Sequence, residues 1–262
     1  MQTGEGEGEP HVAEVYDQTE TQTMDVELIR TLIGPGGPLR ILEPFCGNGR
    51  ILIPLALAGH ELVGLDQAHG MLVHARAKIA RLPQDVQNRI TLLEGDAVAG
   101  GWPQAFDLVV LGGNCFYELA TLEEQARCVR SAAAALVAGG HVYIDNDHME
   151  GGLDPAWQEP GEKPSFPTGD CADGTRLEST LEPVWFDAPR RLIRFRRRTR
   201  ITWPDGSATE KEYIMQKHPV STAEVQASLE ANGFAVERLF GDRGGTPYTE
   251  LAGRAIFWAR RT

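Results

Sequence analysis

Residues Ile41–Asp66, ILEPFCGNGRILIPLALAGHELVGLD, carry the pattern that decides the fold. An apolar strand holds an acid near its end (Glu43). A turn with Gly47, Asn48 and Gly49 follows, then a helix, a second apolar strand and a terminal acid, Asp66. Glycines let a backbone approach a ligand closely. In open parallel sheets a ligand sits beyond the C-terminal ends of the strands, and a carboxylate there can accept two hydrogen bonds from a ribose diol. One position is unusual: Phe45 stands where many such loops carry their first glycine.

The same alternation continues outward. Strands are predicted at LRILE (39–43), ELVGLD (61–66), ITLLEGD (90–96), FDLVVLGG (106–113) and HVYIDND (141–147), with helices over about 48–58, 69–81 and 122–136. Strand–helix alternation of this kind gives a doubly wound parallel sheet. Upstream, HVAEVYDQ and TMDVELIRTLI read as helical pieces, the second with Asp25 as a cap, and GPGGP (34–38) breaks the pattern. Residues 148–175 are rich in Gly, Pro and Asp and are expected to form a long irregular loop. Segments 191–203 and 208–218 alternate around the turn PDGS, which signals a hairpin. A helix opens at Ser221 with Glu224 completing a capping box, and two last strands follow. The expected organisation is a disordered tail (1–12), a core (13–149), a lid or β-hairpin insertion (150–217) over the mouth of the site, and the C-terminal part of the core sheet (218–262).

The bulk numbers restrict the partners. The chain has 262 residues and a formal net charge of -12. That charge repels nucleic acid and anionic lipid. No apolar run approaches the roughly 20 residues that span a bilayer. Cys46, Cys115, Cys128 and Cys171 form no CxxC pair, so reduced thiols, a cytoplasmic location and no metal site are expected.

Three acids at three strand ends, Glu43, Asp66 and Asp96, suit a nucleoside. A polyphosphate would want lysine, arginine or bare amides, and no GxxxxGK[ST] motif is present. The third glycine of a dinucleotide loop is also absent, because Gly49 and Arg50 are followed by Ile51 and Leu52. The alternative to each acid as a ligand is helix capping or a surface charge.

The stretch from Ile41 to Leu72, with EGDA (94–97), FDLVVLGGNCFYEL (106–119) and LVAGGHVYID (136–145), resembles the motifs of class I S-adenosylmethionine-dependent methyltransferases. The likeness covers about Leu39 to Asp147 and extends to the small-molecule type, including glycine, sarcosine and amino-sugar N-methyltransferases. It implies a Rossmann-like, doubly wound seven-stranded α/β sheet with a partly antiparallel β insertion over the active site. It also implies S-adenosyl-L-methionine as cofactor, S-adenosyl-L-homocysteine as product, and methyl transfer to nitrogen or oxygen of a small molecule, as in natural-product biosynthesis.

By this resemblance Gly47, Asn48 and Gly49 run beside the methionine part, Glu43 orients the loop by accepting backbone N–H bonds, and Asp66 binds the ribose. Gln67 and Met71 flank the adenine, Asp96 accepts from its amino group with Ala97 beside the ring, and Gly112 and Gly113 line the sulfonium end. Tyr16 resembles an aromatic that closes over the cofactor. Met71 also lies on an apolar helix stripe, where core packing is the alternative. Phe45 either faces the methionyl or ribosyl end and excludes water, or fills core below the loop.

Methyl transfer from a sulfonium mainly needs positioning, and some acceptors also need a base. On the acceptor side Asn114, Phe116 and Tyr117 follow strand four, and an aromatic ring there favours a cation. His148 is the candidate base, since imidazole titrates near neutrality. Asp145 and Asn146 bind a polar or amine acceptor, or brace the loop. Arg194, Arg196, Arg198 and Arg200 share one strand face, read as an exposed sheet face or as a surface for an anionic group or a second subunit. A monomer or homodimer is expected. The rival readings are a nucleotide-dependent oxidoreductase on the same sheet, a cofactor-binding regulator without turnover, and a nucleic-acid or protein methyltransferase, whose NPPY-type motif is replaced here by GGNCFY.

Overall fold

In a computed structural model that describes residues 9–147 and 153–262, seven strands form one sheet in the order β10-β11-β5-β4-β1-β2-β3. β1 (Arg40–Pro44), β2 (Glu61–Asp66), β3 (Ile90–Glu94), β4 (Phe106–Leu111) and β5 (Leu136–Asp147) are mutually parallel. β11 (Arg254–Arg261) joins β5 antiparallel and pairs in turn with β10 (Phe234–Phe240). β4 reads almost wholly apolar because both of its faces are covered.

Helices fill both faces. On one side α6 (Leu122–Ala135) buries Gln125, Cys128, Val129, Ala132 and Ala135 at helical spacing, beside α8 (Thr222–Ala231). Thr121 caps α6 by accepting from Glu124 N–H (3.2 Å), and Ser221 with Glu224 forms the expected capping box on α8. On the other side α2 (Met24–Ile33), α3 (Leu52–Leu57) and α4 (His69–Ile79) pack on Ile41, Leu62, Leu108 and Tyr143. Gly64 permits this approach: a Cβ there would lie 2.6 Å from Leu52 Cδ1 and 2.7 Å from Cys46 Sγ. Among the described residues no helix is long and apolar enough to cross a membrane.

The insertion holds more strands than the hairpin expected. β6 (Lys163–Asp170), β7 (Arg176–Asp187), β8 (Leu192–Thr202) and β9 (Ala208–Lys217) form a four-stranded antiparallel sheet, and a short helix α7 (Pro155–Gln158) precedes it. The segment expected to be loop therefore supplies β6 and α7, because the prolines and glycines sit on an edge strand, where lost ladder donors face outward. β8 alternates as read: Ile193, Phe195, Thr199 and Ile201 are buried, and Arg194 and Arg200 are exposed. The arginine face carries an internal ion ladder, with Arg196 pairing with Glu182 (2.8 Å) and Arg198 with Glu212 (2.7 Å) and Glu162.

Three boundaries differ from the sequence reading. α1 (Glu9–Thr19) begins inside the expected tail, so residues 9–12 are helical. α3 starts at Leu52, because the glycine turn occupies 48–51. Asp25 lies within α2 and does not cap it; Thr23 is the N-cap residue and makes no side-chain cap bond.

α1 lies between the two sheets. Asp17 meets Lys78 (2.8 Å) and His74 (2.7 Å) on α4, while Val15 packs with Cys171, Leu177 and Ile201 of the second sheet. A second link joins Lys217 of β9 to Glu118 (2.5 Å) after β4. Both links end on segments that follow β2 or β4, so the second sheet stands over the C-terminal edge of the first.

Candidate functional site

The loop between β1 and α3 answers the question that Phe45 raises. Phe45 holds φ 63°, with Gly47 at 52° and Gly49 at 81°, so the backbone at 45 has the left-handed conformation that favours glycine. A phenyl ring is tolerated because the ring, half-buried, packs against the core cluster on the α6 side of the sheet. Left-handed strain of about 1–3 kcal/mol is offset by this burial.

Asp66 fixes the loop. Its Oδ2 accepts from Gly47 N–H (2.8 Å) and its Oδ1 from Ala68 N–H (2.8 Å). Burial pushes its carboxyl up, and the backbone donors of Ala68, Gly47 and Gln67 pull the other way. The loop-anchoring role expected of Glu43 thus falls to Asp66. Glu43 is 5% exposed and accepts from Leu52 N–H, while its Oε2 has no partner. Burial pushes it up to about 8 against the pull of Arg50, with Asp25 and Asp66 adding to the rise.

Asn48 is buried, and its Nδ2 donates to Asp17 Oδ1 (2.7 Å), while its Oδ1 has no partner. Tyr16 hydrogen-bonds Arg50, and burial raises its phenol. Arg50 went unread in the sequence. Its guanidinium forks onto Asp25, with bonds of 2.9 and 2.5 Å, and one nitrogen lies 3.8 Å from where a Cβ of Gly113 would be. An arginine straight after the glycine turn, with an acid on an upstream helix, was the available signal. Around the adenine position, Gln67 and Met71 are half-buried, outside the core clusters that hold Leu72. Asp96 is exposed and caps a 3-10 turn (Ala97–Ala99) by accepting from Val98 N–H (2.8 Å), and Ala97 is buried. Gly112 leaves room for Ile51, whose Cδ1 would lie 2.5 Å from an added Cβ.

The acceptor side corrects several expectations. Asp145 is fully buried, with Oδ1 bound by Arg254 (2.6 Å) and Oδ2 by Arg243 (2.8 Å), so it braces the fold. Asn114 holds φ 65° and is tied to Arg254 (2.7 Å) and to Asp147 through both amide atoms (2.8 and 2.9 Å). Phe116 is 1% exposed within the main core. The ion chain Arg254–Asp145–Arg243 approaches Asp25, whose Oδ2 is 3.8 Å from Arg243, and so links β5 to Arg50. Asn146 remains open: its Oδ1 accepts from Tyr117 N–H (3.2 Å) and its buried Nδ2 has no partner. Tyr117 is buried, which raises its phenol, and its ring meets Trp157 edge-on at 5.8 Å. The Lys217 ammonium lies 5.6 Å from the Tyr117 ring and 5.5 Å from Trp157. Trp157 and Lys217 were missed because the insertion's fold was not read. His148 lies outside the described residues.

The edge thus combines a glycine loop, ordered carboxylates and orphaned buried atoms on Glu43, Asn48 and Asn146. Polar atoms without partners fit a polar ligand, since leaving them unpaired is unfavourable. Among the described residues no three His, Cys, Asp or Glu side chains converge as metal ligands.

Residues 42–142 match the family model described as a methyltransferase domain. A cypemycin N-terminal methyltransferase from Streptomyces sp is 28% identical over 144 residues, 50% of this chain and 56% of that protein. The chain therefore spans little more than half the length of this curated relative. Among solved structures, the sugar N-methyltransferase KedS8 from Streptoalloteichus sp ATCC 53650 superposes with a TM-score of 0.70 at 19% identity, covering 100% of this chain and 97% of that one. CalS10, an amino pentose methyltransferase from Micromonospora echinaspora, gives 0.64 at 20% identity, covering 100% of both chains. The architecture of this chain, second sheet included, is that of the class I S-adenosylmethionine-dependent methyltransferase fold.

Proposed function

We propose that this chain, which carries a methyltransferase domain on the class I fold, transfers a methyl group from S-adenosyl-L-methionine to a small molecule, with an amine nitrogen as the first acceptor to test and a hydroxyl oxygen as the second. The observation that carries the reading is the Phe45–Gly49 loop, whose backbone Asp66 holds in place, with acids at three successive strand ends and no cationic phosphate cradle. The printed names of similar proteins, acting on an N-terminus, a sugar or an amino pentose, support nitrogen and a place in natural-product biosynthesis.

When bound, the cofactor supplies an electrophilic methyl on a sulfonium. The chain's own residues do the holding. Gly47 and Gly49 let the backbone come close. Asp66, half-buried, receives the ribose hydroxyls while keeping Gly47 in place. Asp96 offers its second oxygen to the adenine amino group, between Met71, Gln67 and Ala97. Arg50, its fork taken up by Asp25 and braced by Tyr16, places positive charge near the carboxylate of the methionine part. Gly112 and Gly113 leave space at the reacting end. Asn146 Nδ2 donates to an oxygen of the acceptor beside Tyr117 and leaves the attacking lone pair free. α1 and the second sheet exclude water, which strengthens each polar contact. His148 is the residue to test as base. The protein acts without nucleic acid, membrane or resident metal, in the cytoplasm, as a monomer or homodimer.

The test is product formation. Purified protein incubated with the donor and panels of small amines and hydroxyl compounds should form S-adenosylhomocysteine faster with one or more amines than without acceptor. A uniform background across both panels would contradict the acceptor class. Turnover that survives His148→Ala unchanged would remove that residue as base.

A further inference from the structure

Among the described residues, Glu43 is the one carboxylate with a buried oxygen that has no partner. It is the penultimate residue of β1, just before the glycine loop, so it lies under the place where the proposed donor binds. Among the described residues its surroundings hold no spare cation. Arg50, the nearest positive group, is forked onto Asp25 of α2. Asp25 itself, Asp66 at the end of β2, Tyr16 of α1, and the thiols of Cys46 and Cys115 are the other titratable groups that face it. Burial and two neighbouring acids keep the carboxyl protonated, up to about pH 8, where the site is empty of a cation.

The donor and its spent product share the nucleoside and the amino acid. They differ by one methyl group and by the positive charge on sulfur. We propose, building on the donor reading above, that Glu43 discriminates between them: it remains a neutral acid beside the thioether product and gives up its proton when the sulfonium donor binds. The Glu43 O–H bond breaks, the electron pair stays on the carboxylate, and the proton passes to the buffer. Nothing is oxidised or reduced. Once the methyl leaves, the charge that held the carboxylate ionised is gone, Glu43 takes a proton back, and the product is held less tightly. Donor selectivity therefore rises with pH, by at most about tenfold per unit while one proton is released on binding.

The experiment is calorimetric titration of S-adenosylmethionine and S-adenosylhomocysteine into the full chain at pH 6, 7 and 8, in phosphate and in Tris, for wild type and Glu43→Gln. The expected result is a ratio of product Kd to donor Kd that climbs severalfold per pH unit in wild type and stays level in E43Q. Heats in the two buffers should show more proton release for donor than for product. The variant removes from the comparison any titration of the ligands' own amino groups. A level ratio in wild type, or the same slope in E43Q, overturns the proposal and leaves the donor reading standing. Absence of binding for both ligands overturns both. If E43Q does not fold, the wild-type buffer comparison decides alone: equal proton release for the two ligands is the contrary result.

Discussion

Phe45 holds φ 63° at the position where a glycine would be unstrained, and its ring compensates by packing on the core. Two substitutions separate these effects. Phe45→Gly removes strain and ring together and should change stability by less than about 1 kcal/mol, whereas Phe45→Val keeps φ positive with a stiff branched side chain and should lose about 2 kcal/mol or more. Thermal unfolding of both variants checks the order. Asp66→Ala leaves the Gly47 and Ala68 donors unpaired and should weaken donor binding by about 1–3 kcal/mol, read by titration; unchanged affinity would refute its role. Glu43 makes a stability prediction for the ligand-free chain. Its folded value, about 8, lies above the ordinary carboxylate range. Its contribution is complete below the unfolded value and is lost as pH rises toward 8, by at most about 1.4 kcal/mol per pH unit. Urea unfolding between pH 5 and 8.5 should show that fall in wild type and a flatter profile in Glu43→Gln. At this scale the acids at the strand ends were legible because the motif places them. Their division of labour was not, since which carboxylate meets Gly47 N–H depends on the path of the loop in space. Asp145 misled for the same reason: a strand-end acid reads alike whether it faces a ligand or two arginines from distant segments.

α1 fastens the cofactor side. Asp17 joins Asn48 of the glycine loop to Lys78 and His74 of α4, and Val15 anchors the second sheet. These pairs are partly exposed, so Asp17→Ala should lower overall stability by only about 1 kcal/mol. It should weaken donor binding severalfold and speed amide hydrogen exchange along Glu9–Thr19, while exchange in β1 and β4 stays slow. Equal protection of α1 in the variant would show that Asp17 is not the fastener. The sequence announced α1 as a helix and named Tyr16, yet gave no sign of Asp17's partners, which lie 31 to 61 residues away. Parallel strands and amphipathic helices announce themselves through local period, as β4 and α6 do. β6 did not, because prolines and glycines on an edge strand carry the same composition as a loop.

Across the whole molecule, two sheets enclose one edge. The central sheet follows from its alternating strands and helices. The second sheet was half legible: the β8–β9 hairpin showed its alternation and its turn, and the outward arginine face is as read, now with glutamate partners from β7 and β9 and from Glu162 before β6. The Tyr16–Phe166 ring contact at α1 and the Lys217–Glu118 pair hold the second sheet over the C-terminal edge of the first. The most direct test of the account is calorimetric titration of S-adenosylmethionine, S-adenosylhomocysteine and NAD into the purified chain at neutral pH. The account predicts saturable micromolar binding of both sulfur nucleosides and none of NAD. Binding of NAD with no heat from either sulfur nucleoside would contradict it.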